Sequence, residues 1–397
     1  MKVEYLNSKL NTDGTLSFEI KSDSDENNID KSIINSIRRT ILADIPTIGI
    51  SEDNIKIEKN NSSLHNEFMK HRLSMIPLKI NEENYKNNYV IILDVENKQK
   101  NTALNITTND LIFYKLKKKY ETMDEYDVSL DKYDLNNPLS QREKDKILNP
   151  FKFKGKLNYI LLTQLKNYND NDNQFFKAIM YPNRGTGQIN SLYNNVSQCT
   201  YSFHENERLL NDTVIENIKK NEIPKSEQKK YEKEFINKYK ERYYYRTLEN
   251  EPFWYDFKIK SYNFLNSKEI FIKSLTILIS LLENCINNFK LLLVDSEKSN
   301  YNVSNNNNIY TFILKNENDT LGNIIQSNIV KYLDLKRSIV GCGYKKIHPL
   351  EEQIKLIVTV KPDIIDISLS QIINDIEEYI ENIINIYKKM YEETVNL

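Results

Sequence analysis

A chain of 397 residues with 55 Lys and Arg against 56 Asp and Glu, a formal charge of −1, is long enough for two or three domains and a sizeable core. The balance argues against a surface of its own that holds DNA or RNA, because neutralising phosphates needs a basic excess, and Lys117, Lys118 and Lys119 read as a solvated face. Three scattered cysteines, Cys199, Cys285 and Cys342, allow neither a disulfide framework nor a CxxC zinc site, so a reducing intracellular compartment is the default. No charged-then-apolar leader opens the chain and no window reaches 18 uninterrupted apolar residues. The greasiest stretch, Phe271 to Val294, is interrupted by Lys273, Glu283 and Lys290 and reads as a buried helix of a soluble protein.

In chain order, residues 1–22 alternate apolar and polar around Asp13-Gly14, which predicts a strand hairpin. A polar run from Ser22 to Asn28 follows, and Asp30 is suited to cap the next helix. That helix has Ile33, Ile34, Ile37, Ile41 and Ile45 on one stripe, with Arg39 on the opposite side and Arg38 on the flank. Pro46 ends it, and the β-branched residues Thr47, Ile48 and Ile50 resume as a strand. From Leu64 to Leu78, Leu64, Phe68, His71, Arg72 and Met75 recur at helical spacing until Pro77. His65 and His71 lie six apart, too far round a helix for an i, i+4 zinc pair.

Strand-like runs at Tyr89–Val95, Tyr159–Leu165 and Phe175–Tyr181 alternate with loops, and the charged segment Ser226–Tyr245 reads as helix. The Asn/Asp run Asn169–Asn173 lacks the turn glycine and terminal Glu of a calcium loop. Asn183–Gln188 (NRGTGQ) lacks the Lys-Ser/Thr of a phosphate loop and reads as a glycine-bent loop around Gly185 and Gly187. Phe253–Phe264 alternates as a strand, Ser267–Lys290 is a long helix, and residues 296–308 form an Asn-rich linker. About a dozen flexible residues span roughly 20 Å.

Beyond it the plan of strand, helix, strands and helix restarts. Ile309–Leu314 reads as a strand, and Asn318 or Asp319 caps a helix with Leu321, Ile325 and Tyr332 on one side. Gly322 in its first turn costs about 1 kcal/mol against Ala unless close packing requires it. His348 before Pro349 fits an extended elbow. The final helix, Leu369 to Glu392, carries a heptad seam of Leu369, Ile373, Ile376, Ile380, Ile383, Tyr387 and Met390, opened by a Ser368/Gln371 capping box. Burying seven such side chains contributes roughly 10–20 kcal/mol gross, so the helix needs an extensive apolar partner, for which Ser267–Lys290 is the natural candidate.

Three motifs now carry a family resemblance. NSIRRTILADIPTIGI (Asn35–Ile50) resembles the alpha motif of the alpha-like subunits of multisubunit RNA polymerases: bacterial alpha, archaeal D and L, and the third and eleventh subunits of eukaryotic RNA polymerase II. LHNEFMKHRLSMIPL (Leu64–Leu78) resembles a second helix of that family. DTLGN with VGCGYKKIHPLEEQIKLIVTV (Val340–Val360) is similar to the eleventh-subunit and archaeal L signature. NRGTGQ followed by CTYSF (Cys199–Phe203) resembles part of the family's insert, but Ser191, Leu192, Tyr193 and Asn194 stand where many members have Trp and Pro.

The resemblance implies an α+β fold of two alpha-like dimerisation lobes, sheet plus packed helices, forming an intramolecular pseudo-dimer, the first lobe interrupted by a mainly β insert. Expected boundaries are 1–80 and 250–295 for the first lobe, 81–249 for the insert, 296–308 for the linker and 309–397 for the second lobe. It implies a non-catalytic assembly subunit of a DNA-directed RNA polymerase, without cofactor or metal, whose partners are the largest and second-largest subunits and small auxiliary subunits; neither a membrane nor direct sequence-specific nucleic-acid binding is expected. The partner interface would comprise Asn35, Arg38, Arg39, Pro46, Thr47, His71, Arg72 and Pro77, with the arginines offering bidentate contacts to carboxylates or carbonyls. Leu321, Ile325, Tyr332 and the final-helix seam would pack lobe on lobe, and Gly185, Gly187, Gly343, Tyr344, His348, Pro349, Leu350 and Glu351 would shape turns. Fused forms of this kind resemble those of large cytoplasmic DNA viruses, which suits the heavy use of Asn, Ile, Lys and Tyr and would place the protein in host cytoplasm and virion, with the nucleus as alternative. The competing readings are a generic scaffold or adaptor that kept the fold, and a stand-alone enzyme, for which four scattered histidines offer poor support.

Overall fold

The computed structural model describes residues 3–10, 14–22, 29–82, 85, 88–120, 129–167, 173–262, 264–333, 338–361 and 368–396. The polar run 23–28 and all of the Asn169–Asn173 run except Asn173 lie outside them. The first part of the chain forms β1 (Val3–Leu10), β2 (Thr15–Ser22), α1 (Lys31–Ala43), β3 (Thr47–Gly49), β4 (Ile55–Asn60), α2 (Asn66–Ser74), β5 (Tyr89–Glu96), β6 (Thr102–Thr107), β7 (Ile112–Leu116) and β8 (Tyr133–Pro138). Then come α3 (Gln141–Leu148), β9 (Phe151–Phe153), β10 (Lys156–Asn158), β11 (Leu161–Asn167), β12 (Phe175–Met180), β13 (Asn183–Gly185), β14 (Val196–Phe203), α4 (Glu207–Lys220) and α5 (Lys225–Tyr239). The last part forms β15 (Trp254–Ser261), α6 (Ser267–Val294), β16 (Tyr301–Asn306), β17 (Ile309–Lys315), α7 (Asp319–Lys331), β18 (Ile339–Lys346), β19 (Gln353–Val360) and α8 (Leu369–Asn396).

These elements divide into two compact units, one of residues 1–41, 198–260 and 267–397, the other of residues 42–197 and 261–266. The first unit holds both lobes, and they share one topology. Their sheets run β1-β2-β15-β14 and β16-β17-β19-β18, each a hairpin, a helix, two further strands and a 28-residue helix. In the first lobe Phe18 of β2 meets Phe257 of β15 at 5.5 Å and Phe271 of α6 at 4.9 Å, which fixes α6 on the sheet. In the second, the buried residues of β17 and β19, Phe312, Leu314, Ile354, Leu356 and Val358, alternate along their strands and face the core with Leu321 and Ile325 of α7.

That repeat corrects the linker. The Asn-rich residues 301–306 form β16, the counterpart of β1, in full register with β17 from Tyr301↔Leu314 to Asn306↔Ile309. Asn307, at φ 55°, makes the turn, a conformation asparagine tolerates better than most residues, so a polar Asn-rich run is here hairpin chemistry. Between α6 and β16 the chain is pinned as well: Ser299 Oγ donates to the Asn288 carbonyl at 2.8 Å.

The insert also differs from its expected limits. The second unit begins at Leu42, and β4, inside the stretch assigned to the first lobe, is an edge of its five-stranded sheet β4-β12-β5-β7-β8. Met69, Leu73 and Ile76 join Ile91, Leu93, Phe113, Phe176 and Met180 in the core of that unit. The stripe read at Phe68, His71, Arg72 and Met75 is instead the exposed face of α2, Phe68 at 58% and Met75 at 53%. Conversely, α4 and α5 belong to the first unit and sit in the β14–β15 connection, where the second lobe has only the short β18–β19 turn. Among the described residues α6 alone has the length and mean hydropathy, 1.5, of a membrane span. Its burial is one-sided: Phe271, Leu275, Leu278, Leu282, Cys285 and Phe289 face inward, while Leu291, Leu293 and Val294 are exposed.

The lobe interface and the turn after helix α1 as candidate assembly site

Helix α1 starts where Asp30 predicts it, with the Ser32 amide donating to Asp30 Oδ1 at 2.7 Å. Its isoleucine stripe is buried, Ile33 and Ile37 completely. A second stripe, Ser32, Ser36 and Thr40 at i, i+4 and i+8, is buried too, each at 3% exposure or less. Small side chains let another element approach closely, and their hydroxyls then need partners. Ser36 Oγ spends its one proton on the Ile33 carbonyl at 2.6 Å, so the Tyr387 hydroxyl of α8, also 2.6 Å away, is the donor to it. Asn328 of α7 reaches Ser32 Oγ at 3.5 Å. Arg39 Nε donates to Thr320 Oγ1 at 2.8 Å, at the N-terminus of α7 that Asn318 caps.

Helices α6 and α8 complete this interface. Lys290 pairs with Glu377 at 3.4 Å and Lys388 with Glu283 at 3.7 Å, so the two helices run antiparallel. Ile372, Ile373, Ile376, Ile380, Ile383, Tyr387 and Met390 are buried along α8, whereas Leu369 and Tyr332, at the helix ends, are half-buried. Phe289 of α6 extends into the second lobe, edge-on to Tyr301 at 5.0 Å and to Phe312 at 5.5 Å. Gly322 is explained by packing: a Cβ there would sit 2.6 Å from the Tyr344 ring and 2.9 Å from Ile354 Cδ1.

In the second unit, the end of α1 and the strand after it are clamped by the glycine loop. The Gln188 amide donates to the Ala43 carbonyl at 2.8 Å, supplying one of the partners a helix C-terminus lacks. Thr47 Oγ1 donates to the Tyr193 carbonyl at 2.8 Å, and Asn195 Nδ2 to the Ile45 carbonyl at 3.1 Å. β13 pairs with β3, Gly185 opposite Thr47. Tyr193, where many members of the resembled family have other residues, is buried over Gly185 and Gly49 and fills the space. A Cβ on Gly187 would lie 2.2 Å from the Leu42 carbonyl oxygen. Gly187→Ala should therefore cost about 1–3 kcal/mol, read from denaturant melts of the full chain. Gly343→Ala, with nothing within 4 Å of its Cβ, is the control and should stay within about 0.5 kcal/mol.

Gly343 is thus no turn residue. It lies mid-strand in β18, as does Tyr344, so the turn role that the resemblance implied for both does not hold. The turn itself is at His348–Glu351: the Leu350 amide donates to His348 Nδ1 at 3.2 Å, the Glu351 amide to the His348 carbonyl at 3.2 Å, and Leu350 is 89% exposed. Tyr344 lies over Gly322. Arg38 Nε donates to Asn35 Oδ1 at 3.1 Å along the flank of α1, both half-buried, as is Pro46. Arg72 is held within its own unit, Nε to the Leu162 carbonyl at 2.7 Å and Nη2 to that of Leu161 at 2.9 Å; His71 is exposed and Pro77 half-buried. Burial pushes the thiols of Cys199 and Cys342 up to about 12, and Cys285 upward too, so all three are neutral, poor nucleophiles at pH 7.

A family model described as the RNA polymerase Rpb3/Rpb11 dimerisation domain matches residues 23–282, and a second of the same description matches residues 310–389. The chain belongs to this family. Both dimerisation domains are therefore carried on one polypeptide, as two lobes of one strand order. Relatives include the conjugation stage-specific protein of Tetrahymena thermophila, 44% identical over 70 residues, covering 17% of this chain and 22% of that protein. The DNA-directed RNA polymerase II subunit rpb3 of Dictyostelium discoideum is 46% identical over 63 residues, 15% and 20% of the two chains. The DNA-directed RNA polymerase subunit Rpo3 of Thermococcus kodakarensis is 34% identical over 74 residues, 17% and 28%. The matched segment spans only a fifth to somewhat over a quarter of these relatives.

The dimerisation-domain contacts that sequence reasoning missed are the polar ones, Ser36–Tyr387, Ser32–Asn328 and Arg39–Thr320. Their signal is a stripe of small hydroxyl residues beside the isoleucines of α1, readable as a close-approach face. The arginine pair also divides: Arg39 is tied to the second lobe, and Arg38 is held only to its own helix in the contacts described above.

Proposed function

We propose that this chain is a non-catalytic assembly subunit of a DNA-directed RNA polymerase, on which the second-largest and then the largest catalytic subunit gather. The observation that carries this reading is the pairing of two dimerisation lobes within one chain. Tethering makes that pairing intramolecular, with an effective concentration that reaches the millimolar range, and guarantees one copy of each half. The partner-facing elements in this reading are the flank of α1 with Asn35 and Arg38, the turn at Pro46, and the outer face of α2 with His71; Thr47, buried against Tyr193, holds that turn from inside. Arg39 and Arg72 are each held by contacts inside their own unit, so in this reading only part of their donors is left for a partner.

The test is recovery of the tagged full chain from its native cells, beside Arg38→Glu. Wild type should bring down two very large polypeptides together with template-dependent RNA synthesis. Arg38→Glu should recover at least tenfold less of them while melting within about 0.5 kcal/mol of wild type. If wild type recovers neither large polypeptide, the chain is a scaffold that kept the fold for other partners, and the reading is wrong.

A further inference from the structure

The first-lobe sheet carries a side-chain cluster that the assembly reading leaves unused. Asp256 on β15 stands directly opposite Glu19 on β2. Like charges directly opposite one another in a sheet repel, and a divalent ion held between two such carboxylates offsets that repulsion. His204, the residue after β14, brings an imidazole to the same place, with Nδ1 2.8 Å from Asp256 Oδ1. One ligand atom each of Glu19, His204 and Asp256 lies within 4.8 Å of the other two, and all three residues are half-buried.

The surroundings orient these groups. His204 is fixed through its backbone on both sides, its amide donating to the Trp254 carbonyl at 2.9 Å and its carbonyl accepting from the Tyr245 amide at 3.1 Å. Its ring lies flat on the Trp254 indole, centroids 4.0 Å apart at 12°. The same indole donates through Nε1 to Glu19 Oε2 at 3.1 Å. Trp254 thereby sets the position of two of the three groups, as the outer partners of a metal's ligands do. Lys21 stands over the same indole, its Nζ 4.3 Å from the ring centroid.

We propose that Glu19, His204 and Asp256 form a zinc site. One imidazole and two carboxylates suit a borderline divalent transition ion; the imidazole disfavours calcium and magnesium, and no thiolate is present to favour soft ions. With water filling the remaining positions, the ion offsets the two carboxylates and ties β2, β15 and the end of β14 together. The excursion that carries α4 and α5 leaves after His204 and returns at Trp254, so the ion pins both its roots. This inference does not depend on the polymerase reading.

The experiment is calorimetric titration of the chelator-stripped full chain with zinc chloride, alongside cobalt(II) absorption, for wild type, His204→Ala and Asp256→Asn. Wild type should bind one ion per chain, with a cobalt spectrum of nitrogen and oxygen ligands and a zinc-dependent rise in Tm. Each variant should bind at least tenfold more weakly and lose the rise. Should His204→Ala melt far below wild type without metal, Glu19→Gln replaces it in the comparison. No saturable binding, unchanged binding in the variants, or a cobalt–thiolate band from the cysteines overturns the proposal and leaves an ordinary imidazolium–carboxylate cluster.

Discussion

Ile380→Asp should unfold the paired lobes, the largest single-residue effect expected in this protein. Ile380 is fully buried on the α8 seam that packs on α6, among the buried, uncharged Ile376, Ile383 and Tyr387. Burying an unpaired carboxylate costs more than about 4 kcal/mol on top of the lost packing, a large part of the 5–15 kcal/mol typical of a domain. Ile380→Leu keeps the volume and should cost less than about 1.5 kcal/mol. Far-ultraviolet dichroism and limited proteolysis read the outcome. Because both lobes are on one chain, the loss should not vary with protein concentration, unlike that of a two-chain dimer. An aspartate variant melting within about 1 kcal/mol of wild type would show that α6 and α8 do not form the core joining the lobes.

The second large effect is a pH dependence at the same interface. Glu317, just before α7, accepts a hydrogen bond from the Tyr301 hydroxyl at 2.8 Å. Burial pushes its carboxyl up from 4.5 to about 7, against the opposing pull of the Tyr301 bond. The folded state thus keeps a proton that the unfolded state has released. The stability this supplies is complete below about pH 4.5, falls as pH rises toward 7, and is gone above it, a swing of about 2–3 kcal/mol. Glu317→Gln keeps an acceptor for Tyr301 and removes the charge. Denaturant melts from pH 4.5 to 8 should show the variant gaining on wild type by that amount as pH rises. A constant difference across the range would mean that Glu317 is ionised in the folded protein as it is in the unfolded chain.

Much of the lobe architecture was legible because it rests on local patterns. The α1 stripe, its Asp30 cap, the stop at Pro46, the Asn318 cap of α7 and the α8 seam are each set by a few neighbouring residues and by helical periodicity. The same local chemistry marks α3, where Ser140 and Glu143 form a capping box. β16 was misread because Asn-rich composition suits both a linker and a tight hairpin; only pairing with β17 distinguishes them. α2 was recognised as a helix with the wrong face inward. Its flanking Leu64 and Met75 suggested one stripe, while the sheet of the second unit selects Met69 and Leu73.

By itself the sequence determined most element types of the lobes, β16 excepted, together with their duplication, the family motifs and the apolar seam that demands a partner helix. These follow from side-chain period and backbone chemistry acting over a few residues. Only the tertiary structure decided where the insert begins, that α4 and α5 belong with the first lobe, that Arg39 reaches Thr320, and that Glu19, His204 and Asp256 meet. Those four facts depend on how elements distant in the chain pair and pack. Pairing joins residues as far apart as Glu19 and Asp256, and its energy is a sum over a whole sheet face that no short window of sequence contains.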